Sequence, residues 1–82
     1  MNFNRIKIIH NPKSGFIKNP RIIRKVVEYI LADAPFRYDY FETQYKGHAH
    51  EMAGKAQEEG YDAVVAIGGD GTANEVASAL LN

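Results

Sequence analysis

Ala63-Val64-Val65-Ala66-Ile67-Gly68-Gly69-Asp70-Gly71-Thr72 is the stretch that decides the fold. Its first five residues are all apolar, the pattern of a strand covered on both faces in a parallel sheet. We read Ala63 to Ile67 as a strand, and as the central one. It is also the longest purely apolar run in the chain, far below the roughly 20 residues needed to cross a bilayer. Three glycines in the next four positions let backbone amides turn towards a ligand without side chains in the way. From Ala73 to Leu81 a helical pattern resumes, with Val76, Ala77, Leu80 and Leu81 on one side. A helix N-terminus behind a glycine loop offers unpaired N–H groups and a positive dipole end, which suits a phosphate. The same residues also have a purely structural reading, because Thr72-Ala73-Asn74-Glu75 has the pattern of a capping box. The two can coexist, with Thr72 capping the helix while the amides of Gly69 to Gly71 face phosphate oxygens. Two better-known phosphate motifs fail. The sixth position of a dinucleotide fingerprint is Asn74, and no Lys-Ser or Lys-Thr pair follows to make a P-loop.

Working upstream, Ile6 to His10 reads as a β-branched strand that stops at Asn11-Pro12-Lys13-Ser14-Gly15, a cluster of turn formers. Ile22, Ile23, Val26, Val27, Ile30 and Leu31 then recur with charged residues between them, which predicts an amphipathic helix. Asn19 is placed to accept a hydrogen bond from a first-turn amide, and Pro20 suits the first helical position. Arg37 to Phe41 alternates, with Tyr38 and Tyr40 on one face, and reads as an edge strand. From Gly47, the apolar positions Ala49, Met52, Ala53 and Ala56 predict a second helix that Gly60 ends. The order is βαβαβα, and the fold class is α/β with an open parallel sheet and right-handed connections. Strand order is not readable at this level. In such a sheet Asn11 to Gly15, Thr43 and the glycine loop share one edge, where ligands gather. An ordinary turn and an ordinary cap remain the plain readings of the first two.

The chain has 82 residues at 9.2 kDa, one small domain that buries only about 60–65% of its unfolded surface. Ten Lys plus Arg balance ten Asp plus Glu, so no basic field exists to hold nucleic acid, and any phosphate recognition must be local. Lys13, Lys18, Arg21, Arg24 and Lys25 cluster near the first loop and helix, as a solvated face or as an attraction for nucleotide or lipid phosphate. The absence of cysteine excludes disulfides and thiol chemistry. His50-Glu51 begins like a zinc-protease motif, but Gly54 stands where the second histidine belongs. His48 and His50 point in different directions on a helix, and no residue is assigned as a metal ligand. The N-terminus lacks the apolar core of a secretory signal, so a cytoplasmic chain is expected. A three-stranded parallel sheet has two open edges, from which we expect a piece of a longer protein.

Taken together, Asn11-Pro12-Lys13-Ser14-Gly15, Gly47-His48-Ala49 and Gly68-Gly69-Asp70-Gly71-Thr72 with Asn74-Glu75 resemble the N-P-x-S-G, G-H-A and G-G-D-G-T-x-N-E segments of the diacylglycerol kinase catalytic-domain family. That family includes bacterial lipid kinases and relatives of sphingosine kinases. The glycine motif alone is shared with NAD kinases; its combination with the other two favours the lipid kinases.

The resemblance implies that residues 1–82 are the N-terminal part of an ATP-binding domain, with a lipid-binding β-sandwich following. It implies ATP with Mg²⁺ as cofactors, and transfer of the γ-phosphoryl group to a lipid hydroxyl, of diacylglycerol or a sphingoid-like lipid. Asn11, Pro12, Lys13, Ser14, Gly15, Thr43, Gly68, Gly69, Asp70, Gly71, Thr72, Asn74 and Glu75 would line the ATP site. Asp70 would sit nearest the chemistry. Peripheral membrane contact and a homo-oligomer are further implications for the complete protein, in phospholipid metabolism. The 82 residues alone are expected to be inactive. An NAD kinase-like enzyme, a non-catalytic phosphate-binding module and a plain βαβ fragment with capped turns are the alternatives.

Overall fold

A computed structural model describes residues 4–13 and 19–81. Six elements alternate: β1 (Arg5–His10), α1 (Pro20–Ile30), β2 (Arg37–Glu42), α2 (His48–Lys55), β3 (Ala63–Ile67) and α3 (Asp70–Leu81). The strands form one parallel sheet in the order β2-β1-β3, with Ile8 opposite Tyr40 on one side and Val65 on the other. This is the expected α/β fold with an open parallel sheet.

The centre of the sheet is β1, not β3, which corrects the sequence-based expectation. β3 is an edge among the described residues, and its Val65 is 43% exposed. An unbroken apolar run reports helices on both faces of a strand, not strands on both sides of it. Lys7 and His10 of β1 are both buried. Burial is tolerable because each is partnered. The Lys7 ammonium donates to the Met52 carbonyl at 2.8 Å and to the Glu59 carboxylate at 2.5 Å. His10 Nδ1 lies 2.6 Å from the Tyr40 hydroxyl.

The path from β1 to β2 steps one way across the sheet, and the path from β2 to β3 steps back over β1. Connections of one hand then put α1 and α2 on opposite faces. On one face, Ile9 packs with Ala49 and Ala53 of α2 and Val76 of α3. The small alanines let the two helices approach the strand closely, and full burial of Ile9 contributes about 1.5–3 kcal/mol. On the other face Val27, Ile30 and Leu31 of α1 stand across an apolar gap of about 170 Å³ from Ile6, Ile8, Val65 and Ile67 of the sheet.

Asn19 caps α1 as expected, accepting from the Arg21 amide at 3.0 Å, with Pro20 at the first helical position. The wide apolar stripe is only partly used: Val27 and Leu31 are half-buried, whereas Ile22, Val26 and Ile30 stay exposed. α2 starts after Gly47 at φ 90°. The turn after α2 closes at Gly60, at φ 89°. Both lie in the left-handed region that glycine enters without steric cost. Among the described residues no helix is long and apolar enough to cross a membrane.

α3 begins at Asp70, three residues earlier than the periodicity predicted. The Ala73 amide donates to the Gly69 carbonyl at 3.2 Å, which makes Gly69 the cap. The capping box therefore does not form. Thr72 lies inside the first turn, and the Asp70 carboxylate at the helix start complements the dipole instead.

Candidate functional site

The C-terminal ends of the three strands are joined through backbone bonds to β1. The Thr43 amide donates to the His10 carbonyl at 2.8 Å, and the Asn11 amide donates to the Ile67 carbonyl at 2.9 Å. The segments leaving β1, β2 and β3 are thus held side by side, and a cleft of about 210 Å³ opens between them. The helices after β1 and β3 leave towards opposite faces of the sheet, the arrangement that opens a crevice at neighbouring strand ends.

Five of the residues singled out from the sequence meet on this cleft. Asn11 and Lys13 come from the segment after β1, Thr43 from the end of β2, and Thr72 and Glu75 from α3. The Asn11 side chain accepts from the Lys13 amide at 3.0 Å, an Asx turn that fixes the path of the loop. Thr72 and Glu75 share a helix face because they are three residues apart. Asp70, Gly71 and Asn74 fall on other sides of the same turns and do not line the cleft. Pro12, Gly68 and Gly69 border it in sequence without lining it. Ser14 and Gly15 lie outside the described residues.

Thr72 is only 3% exposed, and its Oγ1 is a buried polar atom with no hydrogen-bond partner. A buried hydroxyl left unpaired costs about 1–3 kcal/mol. Here it sits in the first turn of α3, where the leading amides have no partner four residues back. Lys13 and a second cation, Lys46, line the same cleft. The cleft thus combines two lysines, the Glu75 carboxylate and a residue with an unpaired buried hydroxyl.

Sequence reasoning missed Gln44, Tyr45, Lys46 and Ala49 on the wall after β2. Only the position of Thr43 at the same sheet edge hinted at them. Their conformation is fixed by a compact turn. The Gln44 amide donates to His48 Nδ1 at 2.9 Å, and the His48 amide donates to the Tyr45 carbonyl at 3.1 Å. The Tyr45 ring stacks on the His48 imidazole, with centroids 4.3 Å apart and planes 10° from parallel. Its hydroxyl donates to Glu51, a bond that raises the Tyr45 pKa above the ordinary phenol value.

Behind the cleft, burial pushes the His10 imidazole below its ordinary pKa, and Glu42, 4.0 Å away, opposes this. His10 does not line the cleft, but its carbonyl carries the Thr43 amide. No cluster of three metal-ligating side chains occurs among the described residues. Thr72 and Glu75 nonetheless bring oxygen donors of the kind Mg²⁺ accepts to the cleft, since that ion is normally held by one or two carboxylates together with substrate phosphates. They fit a metal that arrives with a nucleotide.

An open parallel α/β sheet with a polar cleft at its strand ends defines the class of α/β domains that receive ligands at the carboxyl edge of the sheet. Within that class the chain belongs to the diacylglycerol kinase catalytic domain family, whose family model matches residues 5–82. It is 37% identical over 76 residues to a diacylglycerol kinase of Staphylococcus saprophyticus, covering 93% of this chain and 25% of that one. It is 30% identical over 77 residues to human sphingosine kinase 1, covering 94% of this chain and 20% of that one. The crystal structure of a Bacillus anthracis diacylglycerol kinase superposes with a TM-score of 0.78 at 26% identity, over 96% of this chain and 28% of that one. The chain therefore spans between a fifth and somewhat more than a quarter of the length of these relatives.

Proposed function

We propose that residues 1–82 form the ATP-binding part of a lipid kinase, which passes the γ-phosphoryl group of ATP to the hydroxyl of a lipid such as a diacylglycerol or a sphingoid base. The observation that carries this reading is the buried, unpartnered hydroxyl of Thr72, a first-turn residue of α3 that lines the cleft together with Lys13 and Lys46. A phosphate oxygen accepting from Thr72 removes the cost of the orphan hydroxyl, and the helix dipole and lysines favour its charge. Membership of a lipid kinase family supplies the acceptor class.

In the reaction, the bond from the γ-phosphorus to the bridging oxygen of the leaving ADP breaks. A bond to the lipid oxygen forms, and the hydroxyl proton leaves to a base. Such transfer depends mainly on positioning and charge neutralisation. Lys13, Lys46, Thr72 and the leading amides of α3 hold the phosphate chain in line. Asp70, the first residue of α3, lies off the cleft wall and would reach the metal through a water. Mg²⁺, bound with the nucleotide, neutralises phosphate charge. The base and the lipid-binding groups are assigned to sequence outside these 82 residues.

Thr72→Val tests the reading, because its two expected effects have opposite sign. Valine has a similar shape without the orphan hydroxyl, so the ligand-free protein should be more stable in urea by about 1 kcal/mol. Binding of ATP, followed by calorimetry, should weaken roughly 10-fold, the loss of one charge-assisted hydrogen bond. Unchanged ATP affinity in a variant of raised stability would show that Thr72 does not meet phosphate.

A further inference from the structure

We propose that Tyr45, backed by His48, is the platform on which the base of the bound nucleotide stacks. The proposal rests on the reading of the cleft as an ATP site and assigns its other end. A nucleotide has an anionic half and a flat, apolar half. Of the groups assigned to phosphate, Thr72 and Lys13 come from the segments after β3 and β1, and Lys46 stands beside Tyr45 on the wall after β2, within reach of the phosphates of a nucleotide whose base lies on that ring. That wall offers an aromatic ring that is 54% exposed.

Exposure of one aromatic ring is ordinary, but this ring is held by two contacts, one of them itself fixed. One face is taken by the His48 imidazole at 4.3 Å. The hydroxyl is tied to Glu51 at 2.5 Å. His48 itself is fixed by the Gln44 amide at 2.9 Å, which makes Nδ1 the acceptor and leaves the ring proton on Nε2. The polar handle of Tyr45 is thus satisfied within the protein, and what it offers the cleft is the apolar ring. A ring immobilised before binding loses little rotamer freedom when a base lands on it. Stacking on an aromatic side chain is tolerant of base identity, since every base presents a π-face.

The test measures binding of ATP and of inorganic tripolyphosphate, each with Mg²⁺, to the full-length protein by calorimetry. Tyr45→Ala should weaken ATP about 10-fold, as expected for the loss of one base–aromatic stack, and change tripolyphosphate less than about twofold. Tyr45→Phe keeps the ring and loses only the bond to Glu51, so it should hold ATP within about twofold of the parent. Equal weakening of both ligands in Tyr45→Ala would make Tyr45 a support for the start of α2, and an unchanged ATP affinity would leave the ring without a role. Either result overturns the platform and leaves the ATP reading standing. A parent protein that binds neither ligand overturns both.

Discussion

At Gly71 the fold asks for nothing that only glycine can supply. It is the second residue of α3, its φ is not positive, and a Cβ built there meets nothing within 4 Å. Gly71→Val should therefore fold with an unchanged or slightly raised melting temperature, since valine is a few tenths of a kcal/mol better than glycine in a helix. If the leading amides of α3 receive phosphate, the branched side chain obstructs them, and ATP affinity should fall at least about 10-fold. Intact affinity would confine the glycine motif to a structural role. His10 carries a different expectation. Burial holds its folded pKa below the ordinary value, so the unfolded chain takes up a proton first as the pH drops. The stability held by neutral His10 is complete above about pH 6.5 and is lost as pH falls through the lower folded value. Asp39 and Asp62, both held below the usual carboxylate value of 3.8, act only in more acid solution. Urea midpoints should decline between pH 7 and pH 5, and His10→Gln should flatten that decline. An equal slope in the variant would place the titrating group elsewhere.

The elements differ in how firmly they are held. β1 is paired on both sides, and Ile9 at its centre is fully buried against α2 and α3. α1 leaves Ile22, Val26, Tyr29 and Ile30 exposed. Local opening follows buried apolar contact. In native-state hydrogen exchange the amides of β1 should be the slowest, those of α1 the fastest among the helices, and α2 and α3 intermediate. Slower exchange in α1 than in α2 would show that its apolar stripe is covered in solution. The same contrast explains what was legible in the sequence. Periodicity reports whether a residue could face a core, so it located all six elements and the start of α1 at Asn19 and Pro20. It does not report how much core is there, and α1 has more apolar face than the sheet below it uses. Nor does it see long-range pairing: Lys7 and His10 of the central strand are satisfied by Met52, Glu59 and Tyr40, which are remote in sequence. At the site, the βαβαβα order put Asn11, Lys13, Thr43 and Thr72 at one sheet edge and the family resemblance added Glu75, and these five line one cleft. Tyr45 and Lys46 were not legible, because they sit in a turn with no periodicity and reach the cleft only through the fold of that turn.

For the molecule as a whole, the cleft contains groups suited to the phosphoryl donor, and the proposed acceptor site lies elsewhere. Productive geometry requires both, and a displacement of about 1 Å can cost ~100-fold in rate. These 82 residues should therefore form no labelled lipid from radiolabelled ATP with dispersed diacylglycerol or a long-chain amino alcohol. A complete enzyme carrying the same domain should do so, and Asp70→Asn within it should lower kcat roughly 100-fold with a smaller change in KM. Lipid product from the 82 residues alone, lost in their own Asp70→Asn variant, would put the whole reaction inside this chain. One feature of the cleft bears on how such a unit serves relatives named for different lipids. Its floor is made by main-chain bonds that run from Thr43 to His10 and from Asn11 to Ile67, and a peptide group is the same whichever side chain it carries. Substitutions in the three segments can alter what touches a ligand without altering how far apart those segments stand. The floor is a ruler of fixed length, cut by the main chain and not by the side chains that stand on it.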